Sequence, residues 1–344
     1  MGMPPLRIAL SGAGTMGRWY AQCFSEYDAC ELVAVCDVEL ARAEAVARAW
    51  GPARAYADFR DMLAGQELDA VAIATPDRLH REPATACLEA GKHVLCEKPL
   101  ATTLDDGVAM KRAVGASGRK LMVNFGNRWR PRVQTLRKLV VDEHAVGEVG
   151  NVYIELNERI GKTEELAWAS ETSPLWFLLS HCVDTVRFAT GLEIEEVFGY
   201  ETRKMMPGRG LDTSDTSLVV ARLSNGGHAF LGASWVYPED YGPDIDFSLR
   251  VLGSKGLIEC QMHPHDLLVH TDQTRAVNYQ YPYTDHRGHR ENWWTQSVRH
   301  FVHCVLADEL PTPDVDDGLA CLRVLLAMER AVGAGERVRV ESVS

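Results

Sequence analysis

The chain has 344 residues, of which 46% are apolar, and it carries a formal net charge of −12 at pH 7. This length favours two domains, each with its own core, and the negative charge excludes a general nucleic-acid binder, which needs a basic surface to neutralise phosphates. Nine cysteines without C-x-x-C spacing, no secretory signal and no run of about 18 apolar residues predict a cytoplasmic protein with reduced thiols and no membrane span.

The first predicted elements are a strand, a glycine turn and a helix. The apolar run LRIALSG ends in GAGTMG, which opens the amphipathic stretch MGRWYAQCFSEY. The pattern G-x-G-x-x-G is weak alone, but the next apolar strand, ELVAVCD, ends in Asp37, near the spacing at which an acidic residue meets a ribose diol. Gly12, Gly14 and Gly17 would then turn backbone amides and a helix N-terminus toward a pyrophosphate.

Asp37 also bears on the choice of cofactor. Its carboxylate would accept hydrogen bonds from a free 2′-hydroxyl and repel a 2′-phosphate, and the next residues, Val38 and Glu39, offer no positive charge. Arg42 is the nearest cation, and it has the chemistry to stack on adenine or to bind a phosphate. We therefore expect NAD rather than NADP, without a strict exclusion of NADP.

Helical patterns and short apolar strands, among them LDAVAIAT, KHVLCEKP and KLMVNFG, then alternate along the chain. Repeated βα units with continuous apolar strands predict a doubly wound, parallel sheet covered by helices. Ligands of such sheets bind at the carboxyl ends of the strands. Polar clusters follow two of these strands: Thr75, Pro76, Asp77 and His80 after the first, and Glu97, Lys98 and Pro99 after the second.

Several motifs together carry a family resemblance: GAGTMG with Asp37, ATPDRLH, AGKHVLCEKPLA, NRWRP, SHCVD and LRVLGSKGLIE. On these motifs the chain resembles, nearly end to end, the Gfo/Idh/MocA family of NAD(P)-dependent sugar and cyclitol oxidoreductases. The resemblance implies an α/β fold with an NAD-binding Rossmann domain over residues 1–125. It also implies a C-terminal domain over residues 126–344, with a large, open, mostly antiparallel sheet that binds substrate and forms a homodimer or homotetramer.

The resemblance implies roles for the residues that match the family motifs. Lys98 is expected to be the catalytic lysine, beside the nicotinamide and the substrate hydroxyl, where it stabilises developing oxyanion character. Thr75 and Pro76 would line the nicotinamide side of the site, and His80 would support their loop. The expected cofactor contacts are Gly12, Gly14, Met16, Gly17, Asp37, Arg42, Thr75, Pro76, His80, Glu97 and Lys98.

The stretch LWFLLSHCVD holds the expected substrate side of the site. His181 matches the active-site histidine of the family, and Asp184 lies on the same helix face, where it would bind a second substrate hydroxyl. Arg128 is a further expected hydroxyl donor, with an exposed arginine at the start of a helix as the alternative. Trp176 suits stacking on a sugar ring, and core packing is its open alternative.

Phe177 departs from the family pattern. Many inositol-type dehydrogenases of the family carry an aspartate at this position, four residues before the histidine, where it raises the basicity of the imidazole. An apolar neighbour instead disfavours the imidazolium form of His181. Either Lys98 then carries more of the proton transfer, or Asp184 supplies the charge, or the substrate is not a simple cyclitol.

These features predict an NAD-dependent dehydrogenase that moves a hydride between NAD and a secondary hydroxyl of a sugar, glycoside, sugar acid or cyclitol, so a small-molecule carbohydrate is the expected partner. Two alternatives stay open: a redox-neutral, NAD-dependent sugar eliminase or glycosidase, and a catalytically inactive nucleotide-binding regulatory protein.

No metal is expected, although histidines cluster in the second half of the chain. We predict for their segment a loop that caps the pocket or reaches a neighbouring subunit. These histidines are His263, His265, His270, His286 and His289.

Overall fold

The computed structural model describes residues 4–240, 245–261, 284–286 and 289–341. Its contacts divide the chain into two compact units. The first comprises Met1–Gly126 with Tyr283–Leu322, and the second comprises Asn127–Pro282 with Arg323–Ser344. The sequence-based boundary between residues 125 and 126 stays a prediction. Residues 283–322 group with the first unit, and one reason is that Leu319 packs against Gly107.

The first unit is built on six parallel strands. They are β1 (Leu6–Ser11), β2 (Cys30–Cys36), β3 (Arg54–Tyr56), β4 (Ala70–Ile73), β5 (His93–Cys96) and β6 (Leu121–Val123). Their order in the sheet is β3-β2-β1-β4-β5-β6, and every neighbouring pair is parallel. The order reverses between β1 and β4, which makes the carboxyl ends of these strands the place for a ligand.

Five helices connect these strands. They are α1 (Thr15–Ser25), α2 (Leu40–Trp50), α3 (Phe59–Gly65), α4 (Arg81–Glu89) and α5 (Leu104–Ser117). The strands β4 and β6 are buried along their whole length, as expected for a sheet with helices on both faces. The predicted doubly wound fold is therefore confirmed.

The second unit begins with α6 (Pro131–Arg137) and contains a second, mixed sheet. The following elements are β7 (Val149–Arg159), α7 (Lys162–Glu165), α8 (Pro174–Phe177), α9 (Leu179–Thr190), β8 (Ile194–Thr202), α10 (Met205–Gly208), β9 (Thr216–Leu223), β10 (His228–Tyr237), β11 (Ile245–Gly253) and β12 (Gly256–Gln261). The last elements of the chain are β13 (Thr284–His286), β14 (His289–Glu291), α11 (Trp293–Leu306), α12 (Val315–Ala334) and β15 (Val338–Arg339). Of these, β13, β14 and α11 belong to the first unit, α12 is divided between the two units, and β15 belongs to the second.

The second sheet has seven strands in the order β12-β11-β7-β10-β9-β8-β15. Only the β7–β10 pair is parallel, so the predicted large and mostly antiparallel sheet is confirmed. Alternate residues of β9 are buried and exposed, which places one face of the sheet against the core.

Membrane-spanning helices and metal-binding clusters were searched for in the described part of the chain. None of its helices is long and apolar enough to cross a membrane. None of its side-chain clusters has three histidine, cysteine or acidic groups placed to hold a metal ion. The predicted capping loop falls largely outside the described residues, which contain none of His263, His265 and His270.

Candidate active site

In the glycine turn after β1, two of the three glycines have no space for a Cβ atom, and the third does. A Cβ on Gly12, whose φ is +98°, would lie 2.5 Å from the carbonyl oxygen of Ala74, and one on Gly17 would lie 1.9 Å from the carbonyl oxygen of Gly12. A Cβ on Gly14 would meet nothing within 4 Å. Gly12 and Gly17 are therefore needed for the turn itself, whereas Gly14 leaves space for a ligand.

That space lies at the N-terminus of α1, where Gly14 is the cap residue and provides no side-chain acceptor. The first N–H groups of a helix have no acceptor within the helix, and with the helix dipole they favour an anion. Met16 lies in this first turn, so its backbone belongs to the same group of donors. The turn thus fits a dinucleotide pyrophosphate.

The Asp37 carboxylate is held at the end of β2 by two backbone amides. Its oxygens accept hydrogen bonds from the N–H groups of Ala13 at 2.8 Å and of Glu39 at 2.9 Å. A carboxylate has about four lone-pair sites, so acceptor capacity remains for a ribose diol. Arg42 forms an exposed ion pair with Glu39 at 2.7 Å. Val38 is 90% exposed beside this carboxylate, and its apolar side chain has the chemistry to pack against an adenine.

His80 joins the loops that follow β4 and β5. Its ring is fully buried, with Nδ1 2.8 Å from the carbonyl oxygen of Pro99 and Nε2 3.0 Å from that of Thr75. Burial lowers the pKa of His80, and the two carbonyl contacts oppose this effect. The buried Oγ1 of Thr75 has no hydrogen-bond partner among the described residues. The ring therefore links the loops that follow β4 and β5, and the expected cofactor contacts of Thr75, Pro76 and His80 stay predictions.

Glu97 and Lys98 lie directly after β5 and are 6% and 8% exposed. One oxygen of Glu97, Oε1, accepts hydrogen bonds from the hydroxyl of Tyr20 and from Nδ2 of Asn124, the latter at 3.1 Å. The other, Oε2, accepts from the backbone N–H of Lys98 at 3.2 Å. Burial raises the pKa of Glu97, while the Lys98 charge and the hydrogen bonds oppose the rise. The expected cofactor contact of Glu97 stays a prediction.

In the second unit, Arg128 and Asp184 contact each other. Nε of Arg128 lies 3.1 and 3.0 Å from the two carboxylate oxygens of Asp184, and Nη2 lies 2.6 Å from Oδ1. Their side chains are 7% and 0% exposed. The guanidinium carbon also lies 5.1 Å from the ring centroid of Phe188. The two expected substrate ligands thus form a buried ion pair, and their contact with a substrate stays a prediction.

His181 and Asp184 share a face of α9, as predicted, because they are three residues apart on one helix. His181 is only partly buried, whereas Asp184 is fully buried. The ring centroid of Phe177 lies 6.0 Å from that of Trp168 and 6.3 Å from that of Trp235. The position at which the family resemblance led us to expect an aspartate is therefore flanked by two tryptophan rings.

Trp176 packs away from solvent. It is 9% exposed, and its indole nitrogen donates a hydrogen bond to the Glu329 carboxylate at 2.9 Å. These contacts are those of a core residue, which was the open alternative, and stacking on a sugar ring stays a prediction.

The sequence analysis did not identify Tyr20 and Asn124, which contact Glu97. Asn124 follows β6 directly and so lies at the ligand-binding edge of the sheet, a signal that was available.

Two family models match the chain. One, described as an oxidoreductase family with an NAD-binding Rossmann fold, covers residues 6–125, and the other, a Gfo/Idh/MocA C-terminal domain, covers residues 133–259. The chain belongs to the Gfo/Idh/MocA family of oxidoreductases. The resemblance, the oxidoreductase class and the NAD cofactor are therefore confirmed.

Individual relatives extend this similarity over the whole chain. The chain is 26% identical to the myo-inositol 2-dehydrogenase of Thermotoga maritima over 342 residues, and this alignment covers 98% of the chain and 99% of that protein. It is 31% identical over 195 residues to the D-glucoside 3-dehydrogenase of Escherichia coli, or 54% of each chain. Its fold matches the scyllo-inositol dehydrogenase of Lactobacillus casei, solved with NAD(H) and scyllo-inositol, with a TM-score of 0.85, 20% identity and coverage of 98% and 100%.

Proposed function

We propose that this oxidoreductase transfers a hydride between NAD and a secondary hydroxyl of a sugar, glycoside, sugar acid or cyclitol. The observation that carries the proposal is the buried Lys98 at the carboxyl end of β5, in the unit that has the glycine turn and Asp37. A buried lysine is normally paired, and the charge of Lys98 acts on the adjacent, buried Glu97 carboxylate. The relatives named above are dehydrogenases of inositols and of a glucoside, and no observation favours the redox-neutral or the inactive alternative.

The residues of the chain would divide the work as follows. NAD supplies the hydride acceptor when it is bound. The Lys98 ammonium would hold the reacting hydroxyl and stabilise the negative charge that develops on its oxygen. His181 would exchange the proton of a substrate hydroxyl. The buried Arg128–Asp184 pair would keep the face of α9 that carries His181 in place.

The aromatic surroundings of Phe177 bear on the substrate. An ionised carboxylate at this position would be desolvated by Trp168 and Trp235, so the chain is built for an apolar group before His181. Phe177 and Trp168 retain partial exposure, whereas Trp235 is 0% exposed. Partly exposed aromatic rings suit the apolar face of a pyranose or an aglycone. Within the proposed class, we therefore favour a sugar or glycoside over a simple cyclitol.

Location and assembly belong to the same proposal. All nine cysteines are buried free thiols, which supports a reducing compartment such as the cytoplasm. Large apolar side chains remain exposed on five strands of the second sheet, which supports a homodimer or homotetramer that covers them. These side chains are Tyr153, Tyr200, Leu218, Val220, Leu252 and Leu257.

The variant Lys98→Ala tests the catalytic role. We expect kcat to fall by at least about a hundredfold, because the loss of one group that stabilises a developing oxyanion costs about 10²–10³ in rate. The dissociation constant of NAD, measured by titration calorimetry, should change little. Lys111→Ala is the matched control, since Lys111 forms only an exposed ion pair with Asp316 in the same unit. Full turnover of Lys98→Ala would remove Lys98 from the mechanism.

A further inference from the structure

Four side chains form a closed polar network inside the first unit, and we refer to Tyr20, Glu97, Asn124 and Ser297 as the Glu97 network. Tyr20 comes from α1, Ser297 from α11, and the other two from the ends of β5 and β6. Tyr20 and Ser297 are 0% exposed, Asn124 is 1% exposed and Glu97 is 6% exposed. Burying a polar group without a hydrogen bond costs free energy, so these four side chains must keep an arrangement in which each is hydrogen-bonded.

The hydrogen bonds of the network lead from Ser297 through Asn124 and Tyr20 to the Glu97 carboxylate. The Ser297 hydroxyl donates to Oδ1 of Asn124, which turns the amide nitrogen toward Glu97. That nitrogen donates to Oε1 of Glu97 at 3.1 Å and to the hydroxyl oxygen of Tyr20 at 2.7 Å. Because the Tyr20 oxygen accepts from Asn124, its own hydrogen goes to Glu97. This is the pattern that an ionised carboxylate requires, since it only accepts hydrogen bonds.

Glu97 is the group of this network whose charge changes as the pH falls. The titratable groups that face it are Tyr20 from α1 and its own neighbours Cys96 and Lys98. Burial raises the pKa values of Tyr20 and Cys96 well above their usual range, so both stay neutral. Burial also raises the pKa of Glu97, which moves its protonation toward the working pH of an enzyme.

We propose that Tyr20, Asn124 and Ser297 are positioning residues that keep Glu97 ionised beside Lys98, and that protonation of Glu97 turns the enzyme off at low pH. A protonated Glu97 would add a hydrogen to a network in which its neighbours already donate to it, so this hydrogen finds no acceptor there and the bonds that Glu97 accepts lose their charge assistance. The N–H of Lys98 is one of these donors, and its turn would be held less firmly. The proposal rests on the catalytic role of Lys98 given above.

The pH dependence of kcat tests this assignment. In Tyr20→Phe, the loss of one donor to the ionised carboxylate should move the acid limb of kcat upward by about one to two pH units. Ser297→Ala removes the contact that orients Asn124, and it should move the limb in the same direction by less. Tyr56→Phe is the matched control, because this buried hydroxyl accepts a hydrogen bond from Gln66 outside the network. Its acid limb should coincide with that of the wild type.

Thermal unfolding gives a readout that needs no turnover. The midpoint difference between the wild type and Tyr20→Phe should be larger at about pH 8 than at about pH 5, because the hydrogen bond that the variant loses is charge-assisted only when Glu97 is ionised. For Tyr56→Phe the difference should be independent of pH. Acid limbs that coincide in wild type, Tyr20→Phe and Ser297→Ala would overturn the inference. Full activity of Lys98→Ala would instead overturn the proposed function. In that case the pH dependence of the midpoint difference between the wild type and Tyr20→Phe would still show whether the network holds Glu97 ionised.

Discussion

The buried pair of Arg128 and Asp184 allows a sharp test of how the second unit is held together. Arg128→Met would remove three charge-assisted hydrogen bonds from a carboxylate that is 0% exposed. Breaking one partner of a buried pair typically costs about 3–5 kcal/mol, because the remaining charge stays in a low-dielectric site. We therefore expect the free energy of unfolding to fall by about that amount.

Urea unfolding, followed by both circular dichroism and tryptophan fluorescence, measures this loss. The double variant with Asp184→Leu should recover most of the stability, since no charge is then left inside. Arg222→Ala is the surface control, because its pair with Glu195 at 3.2 Å is nearly half exposed and should be worth less than about 1 kcal/mol. If Arg128→Met cost no more than Arg222→Ala, the pair would not stabilise the fold in the way described.

Two further predictions concern the first unit. Gly14→Ala should change the free energy of unfolding by less than about 1 kcal/mol but weaken NAD binding more than tenfold, because its methyl group would fill the open space of the turn. Gly17→Ala should instead destabilise the fold by about 3 kcal/mol or more. Calorimetric titration and urea unfolding distinguish the two variants, and an NAD affinity of Gly14→Ala equal to that of the wild type would refute the pyrophosphate site. Burial, with Arg119 and Lys120, lowers the pKa of His93 to about 4 from 6.5, so the unfolded chain binds more protons in this window and stability should fall as the pH drops through it. His93→Gln should weaken that pH dependence of the thermal midpoint, and an unchanged dependence would contradict the assignment.

The sequence predicted the first sheet well because its signals are local. A glycine turn, an acidic residue at the end of β2 and repeated βα units lie within short stretches of chain, and together they determine a parallel sheet. The second sheet followed only from the family resemblance. Its parallel β7–β10 pair joins strands that are far apart in the chain, and periodicity contains no information about such pairing.

Side-chain contacts between residues that are far apart in the chain were harder to predict for the same reason. Arg128 and Asp184 were each identified, but their mutual pairing across 56 residues was not. Ser297 lies 173 residues from Asn124, and Trp176 lies 153 residues from Glu329, so neither contact leaves a local pattern. A tryptophan beside a histidine is compatible with a sugar site or with a core, and only the fold distinguishes the two.

The formation of NADH is the measurement that tests the central claim most directly. Purified wild-type protein is incubated with NAD or NADP and a panel of monosaccharides, glycosides, sugar acids and inositols, and absorbance and product masses are recorded in parallel. We predict stoichiometric NADH and oxidised product with a sugar or glycoside, and much slower reduction of NADP because the Asp37 carboxylate repels a 2′-phosphate. Loss of substrate without NADH, or no reaction across the panel, would contradict the dehydrogenase assignment.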